Sequence, residues 1–261
     1  LGSSPSRGTN LNLFVNLALN YWKFKVKNLL FTNPCNCKVC SGTPNVKNMN
    51  VKLISLSQPH DDNMNCEDLI AYCARVSNPS NQNNTATAPK LLKYLIKHRH
   101  WSPFEMVSMT LEIKTSRAIA AQILRHRSFS FQEFSQRYSE AQTLEPVEIR
   151  KQAEKNRQSS IDGFEDAYLL SKVREHTAKG VSLYKELVSA GAAKESARMI
   201  LPLTTETTMY MGGTIRSWVH YIDLRSQEDT QKEHREIALA CRDIFCEHFP
   251  NISEALEWKT V

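Results

Sequence analysis

Val107, Met109, Leu111 and Ile113 alternate with Ser108, Thr110, Glu112 and Lys114. A period of two sends successive side chains to opposite faces, so this run is the clearest strand in the chain. Thr204–Met211, rich in Thr and Met, repeats the period, and so does Val51–Ser57, which Pro59 closes. Between these strands the spacing turns helical. Glu67–Val76 forms a short helix, and Pro89–His100 places Leu92, Leu95 and Ile96 on one face. Thr115 or Ser116 caps a helix on which Ile119 and Ile123 share a face. Phe164–Ala190 is a long helix with Gly180 as a candidate break and Gly191 placed to end it. Lys194–Ile200 stops at Pro202, Thr214–Leu224 follows Gly212–Gly213, and Gln231–Phe249 turns Ile237, Ala240, Cys241, Ile244 and Phe245 inward. Asn78–Ala88 reads as a polar loop. The Gly-rich turn of a dinucleotide fold is absent, which favours an α+β class over a doubly wound α/β fold. The expected architecture is a mixed or antiparallel sheet flanked by helices.

This domain spans 49–261. Residues 1–48 read as an extension rich in Asn and Ser. Its apolar patch, Leu11–Leu19, is broken by Asn16 and lacks the basic start and small-residue cleavage site of a signal peptide. Cys35, Cys37 and Cys40 form a C-x-C-x-x-C cluster with no fourth ligand at matching spacing, so they read as loose thiols and no metal site is assigned. Cys66, Cys73, Cys241 and Cys246 sit inside apolar helical patterns, which suits reduced thiols in a cytoplasmic protein. No stretch approaches the roughly 20 apolar residues of a membrane helix. A net charge of +6 suits an anionic ligand, yet no Lys/Arg run of five appears, which argues against nucleic acid as partner.

Arg125–Tyr138 reads RHRSFSFQEFSQRY. Its cationic or titratable groups are Arg125, His126, Arg127 and Arg137, and it holds no Lys. Arg offers a rigid fork of donors matched to phosphates and planar anions, so an Arg-only cluster points to recognition. The apolar spacing passes from two (Phe129, Phe131) to three and four (Phe134, Tyr138), so an extended segment is expected to turn helical near Ser130. Ser130 and Glu133 then make a capping-box pattern. On that helix Glu133 and Arg137 would pair at the surface, a contact worth only about 0.3–0.5 kcal/mol. So weak a pair does not account for three adjacent basic groups, whose repulsion an anion would offset. Phosphates bound there would gain charge-assisted bonds of roughly 1.5–3 kcal/mol each. Without Walker or Rossmann glycines the phosphates must be held by side chains, as suits a nucleotide or flavin whose ring stacks on aromatic neighbours.

Arg125-His126-Arg127, seven residues, then Ser135 resembles the signature of the flavin-dependent thymidylate synthases, and the likeness continues through Glu133, Arg137 and Tyr138. ARVS at Ala74–Ser77, HWSPFE at His100–Glu105, ARMILPL at Ala197–Leu203 and RSWVHYIDLR at Arg216–Arg225 extend it, so that it covers roughly Met49 to Phe249. The resemblance implies an enzyme that uses FAD, NADPH or NADH, and methylenetetrahydrofolate to convert dUMP to dTMP. It implies flavin contacts at Ser102, Arg125, His126, Arg127, Glu133, Thr214, Arg216 and His220. For dUMP it implies Gln122, Ser135, Gln136, Arg137 and Arg198, with Arg125 and Glu133 shared. Arg225 matches the arginine that favours the N3-ionised uracil ring, and Ser135 is assigned to substrate binding. A homotetramer with sites built from several subunits is implied too. Ile123 and Leu124 stand where aromatic residues are common in the family, Gln132 where Asn is frequent, and Thr214 and His220 where some members carry Asn. These departures leave the arginines intact. A non-catalytic nucleotide- or RNA-binding protein is the competing reading, supported by charge and Arg density alone.

Overall fold

The computed structural model describes residues 51–140 and 143–258. The extension and its Cys35, Cys37 and Cys40 lie outside the described residues. In chain order the elements are β1 (Val51–Leu56), α1 (Cys66–Ala74), α2 (Ala88–Lys97), β2 (Ser108–Ser116), α3 (Arg117–Ile123), β3 (Ser130–Glu133), β4 (Lys151–Gln152) and β5 (Ser160–Ile161). Then come α4 (Ala167–Ser189), α5 (Lys194–Ala197), β6 (Glu206–Thr214), α6 (Ile215–Arg225), α7 (Lys232–His248) and α8 (Pro250–Ala255). A four-stranded sheet has the order β1-β2-β6-β3 with every pair antiparallel, and β4-β5 forms a separate two-stranded hairpin. This is the α+β class that the pattern of strands and helices implies.

The alternation in β2 does what its period dictates. Met109, Leu111 and Ile113 are fully buried, and Met209 and Met211 of β6 join them on the same face. Helices cover that face with Ile70, Leu92, Ile119, Trp218, Ile222, Ile237 and Phe245, which belong to one continuous apolar core. Each such side chain contributes about 1.5–3 kcal/mol on burial. Trp218 also donates its indole N–H to the Met109 carbonyl at 2.9 Å, which pins α6 to the central strand. Glu67, buried on α1, accepts the Ile252 N–H at 2.8 Å and an Asn251 amide N–H, so a carboxylate meets the positive end of α8.

Several local expectations change. No helix follows Ser130. Residues 130–133 are strand β3, paired Ser130↔Gly212 through Glu133↔Met209, because the free edge of β6 satisfies backbone groups that a helix would have satisfied internally. The Ser130 capping box and the Glu133–Arg137 pair therefore do not form. Gly180 does not break α4, since it lies where the helix presses on Pro202. Gly191 ends that stretch in the left-handed region, at φ +91°. Ser116 is the N-cap of α3 by position, but its side chain makes no capping bond. The 78–88 loop contains two short 3-10 turns, Pro79–Asn81 and Thr85–Thr87. Among the described residues no helix is long and apolar enough to cross a membrane.

Candidate active site

The RHR stretch is a turn between α3 and β3, held by the His126 N–H on the Ile123 carbonyl at 3.0 Å and the Phe129 N–H on the His126 carbonyl at 3.3 Å. Phe129 anchors it. The ring packs edge-on against Trp218 at 4.9 Å and Tyr221 at 5.9 Å, and lies directly over Gly213, where a Cβ would overlap it. With Phe129 fixed, Arg125 and Arg127 face outward while His126 turns in between α6 and α7.

Arg225, at the end of α6, donates its Nε–H to His126 Nε2 at 2.9 Å. A guanidinium only donates, so this nitrogen of His126 is unprotonated and the imidazole neutral. Burial, then the Arg225 charge, then His220, push the His126 pKa down to about 4. The middle member of the RHR triplet therefore carries no charge at neutral pH, and only two of the three groups there are cations. His234 of α7, fully buried, is pushed down to about 3 by burial, Arg225 and His126. Gln122 lies beside it, with its Oε1 3.3 Å from His234 Nδ1 and its Nε2 donating to Gln231 Oε1 at 2.7 Å.

A cleft of about 550 Å³ opens on the other side of α6, lined by Trp101, Glu105, Ser128, Arg216, His220 and Asp223 among others. That size suits a small-molecule site. Ser102 is exposed beside Trp101, at the start of the 102–105 turn. Arg216 pairs with Glu105 at 2.6 Å while half exposed. Thr214 is the N-cap of α6, its hydroxyl accepting the Ser217 N–H at 3.4 Å. One aromatic face with an arginine, an imidazole and hydroxyls around it is a donor set that fits a flavin nucleotide.

A second cleft, of about 280 Å³, is lined by Arg117, Gln136, Arg198, Pro202 and Thr205 among others. Glu133 borders it through Arg117, whose Nη1 donates at 2.7 Å, and through the Thr207 hydroxyl at 2.9 Å. Gln136 is buried with its Nε2 unpartnered among the described residues, a donor left for a ligand. Arg137 is exposed and reaches Glu195 at 3.4 Å. The Ser135 carbonyl accepts the Tyr138 and Ser139 N–H groups, which curls the segment into a turn.

The sequence-assigned residues thus divide. Gln122, His126 and Arg225 cluster at the α3–α6–α7 junction. Arg216 and His220 line the larger cleft, with Ser102 next to its Trp101, and Gln136 and Arg198 line the smaller, with Glu133 bonded to its Arg117, and the two clefts share no lining residue. Arg117, Gln231, His234, Glu105 and Arg150 were not foreseen, because their partners lie 16 to 112 positions away and leave no local spacing to read.

The family described as "thymidylate synthase complementing protein" matches residues 61–251. A probable flavin-dependent thymidylate synthase of Paramecium bursaria Chlorella virus 1 is 53% identical over 215 residues, covering 80% of this chain and all of the relative. A flavin-dependent thymidylate synthase of Synechocystis is 54% identical over 217 residues with the same coverage. In fold the chain is similar to a UMP/dUMP methylase, PolB, of Streptomyces cacaoi, with a TM-score of 0.70 at 24% identity, over 82% of this chain and 97% of that one. The chain belongs to the flavin-dependent thymidylate synthase family.

Proposed function

We infer that this protein methylates dUMP to dTMP, with methylenetetrahydrofolate as one-carbon donor and FAD as cofactor. The observation that carries this is its 53–54% identity to flavin-dependent thymidylate synthases along their whole length, joined to an Arg225 whose nearest ring partner is a neutral histidine. With Nε committed to His126, the two Nη groups of Arg225 are the donors free to meet the uracil ring. Stabilising N3-ionised uracil by two pKa units takes about 2.7 kcal/mol. One charge-assisted bond supplies roughly 1.5–3 kcal/mol of that. Because His126 stays neutral, no second cation crowds the guanidinium. An ionised ring is more electron-rich at C5, the carbon that accepts the one-carbon unit.

When bound, FAD reduced by NADPH or NADH would supply the electrons that bring the transferred carbon to the methyl level. Arg216 and His220 in the larger cleft, with Ser102 and Thr214 beside it, would hold the flavin, and Trp101 lines the same cleft. Arg125, His126 and Arg127 present the signature turn to it, and Glu133 completes the set. On the substrate side Ser135, Gln136, Arg137 and Arg198 hold the nucleotide, with the unpartnered Gln136 amide as a donor, and Gln122 orients the base.

The residues assigned to the flavin and to dUMP are spread over two clefts and the α3–α6–α7 junction of one chain, and the smaller cleft is bordered by exposed Met199 and Leu203, at 80% and 69%. Both observations favour a homotetramer in which each site takes residues from several subunits. Free thiols at Cys66, Cys73, Cys241 and Cys246 suit the cytoplasm. The deciding experiment is dUMP-dependent oxidation of reduced flavin by the purified protein. Colourless protein that gains no flavin absorbance after FAD is added would overturn the reading, and dUMP binding without flavin oxidation would favour a non-catalytic nucleotide-binding protein.

A further inference from the structure

Gln122 carries an amide whose two ends look alike in shape but opposite in chemistry, and the surrounding chain of hydrogen bonds decides which end faces where. The chain starts on the β4–β5 side with Arg150. Its Nη2 donates to both oxygens of Glu233 at 2.8 Å, while its Nε holds Ser160 of β5 at 2.9 Å. Burial raises the Glu233 pKa, but its own backbone N–H, Arg150 and Gln231 outweigh this and hold the group below the usual carboxylate range, so it is ionised and only accepts. Gln231 must then turn its Nε2 to Glu233, at 3.0 Å, and its Oε1 the other way. That oxygen accepts Gln122 Nε2 at 2.7 Å, which leaves Gln122 Oε1 facing His234 Nδ1 at 3.3 Å. An amide oxygen accepts only, so Nδ1 of His234 carries the proton.

His234 is therefore the terminal donor of a one-way relay. Its Nε2 is left buried and unpartnered among the described residues, an unfavourable arrangement that the fold tolerates to keep Nδ1–H on Gln122. The ring has little freedom to turn, since it lies 5.8 Å from Tyr221 and 6.3 Å from His126.

We propose that His234, with Gln231 and Glu233, is a positioning residue that locks the Gln122 amide with its oxygen inward and its second N–H outward, as a donor to an acceptor on the pyrimidine base of dUMP. This rests on the reading of Gln122 as a dUMP-binding residue. Without the relay the amide flips freely and presents oxygen to oxygen for part of the time, which weakens dUMP binding while leaving the flavin cleft across α6 intact.

The test is the dUMP dissociation constant of flavin-loaded enzyme, measured calorimetrically for Gln122→Ala, His234→Leu, His234→Asn and Glu233→Gln, with flavin absorbance and unfolding midpoint alongside. Asn places an amide N–H near the position of Nδ1 and restores the donor, whereas Leu fills the space without one. The expected result is a rise of about tenfold for Gln122→Ala and His234→Leu, and a return to within about twofold for His234→Asn, with flavin content unchanged. Glu233→Gln, which lets the relay run in either direction, raises the constant as well. Combined with His234→Leu it adds nothing, because both act through one amide. A rise in Gln122→Ala with none in His234→Leu overturns the relay and leaves Gln122 in the site. No rise in Gln122→Ala removes Gln122 from the site and the inference with it. Equal losses in His234→Leu and His234→Asn mean that packing matters and donation does not, which also overturns it. Should His234→Leu fail to fold, an unchanged constant in Glu233→Gln does the same.

Discussion

Arg225 is one cation set between two histidines that stay neutral, and it is not among the residues that line the larger cleft. Arg225→Ala is expected to keep its flavin absorbance and lose dTMP formation. Unchanged turnover in that variant would remove Arg225 from the mechanism. The two histidines also set an acid limit on stability. Unfolded, each takes up a proton near pH 6.5. Folded, they hold out to about 4 and about 3. Between those values the unfolded chain binds more protons, so stability falls as pH drops, by up to about 1.4 kcal/mol per pH unit for the fully buried His234 and by less for the half-buried His126. Thermal unfolding should therefore be level above about pH 6.5 and fall toward pH 5. In His234→Asn that slope is shallower, and an unaltered slope would show that His234 is not the titrating group.

At the scale of elements, the signature turn depends on a strand that is remote in sequence. Phe129 seats against Gly213 at the end of β6, and that contact decides where Arg125, His126 and Arg127 point. Gly213→Ala forces the ring off its seat, and overpacking of this kind costs roughly 1–3 kcal/mol. The expected outcome is a lower unfolding midpoint together with weakened flavin binding. Weak flavin binding with an unchanged midpoint would place the defect in the cleft rather than in the packing. The same β6 edge explains why the segment after Ser130 departs from its local pattern. The Ser-x-x-Glu signal is a helix start on its own terms, but pairing with Gly212–Met209 offered Ser130–Glu133 a ladder, and Glu133 gained Arg117 and Thr207 in place of a capping role.

Among the described residues, much of the longest helix, α4, is uncovered. Of the 23 residues of α4 only Tyr184 is buried, while Tyr168, Leu169 and Leu183 stand exposed. A helix gains most of its stability from packing an apolar face, so the exposed Tyr168, Leu169 and Leu183 are the candidate contact of α4 with a second copy of the chain. Sedimentation at micromolar concentration is expected to give a tetramer. Leu203→Glu, at the edge of the smaller cleft, should reduce its mass and its dUMP affinity together. A monomer that turns over dUMP at the normal rate would overturn the shared-site reading.

Periodicity and residue chemistry determined much from the chain alone. The alternation at Val107–Ile113 and Thr204–Met211 placed the two central strands, because burial on one face requires a period of two whatever the partner. The fixed spacing from Arg125 to Ser135 carried the resemblance to the family, and the family match and the curated relatives bear that membership out. Only the tertiary structure decided what depends on pairs distant in sequence. It made Ser130–Glu133 a strand, kept His126 and His234 uncharged, and fixed the direction of the Gln122 amide. Each of these is set by which group lies opposite, at a few ångströms and across as many as 112 positions of chain, and no local pattern encodes that.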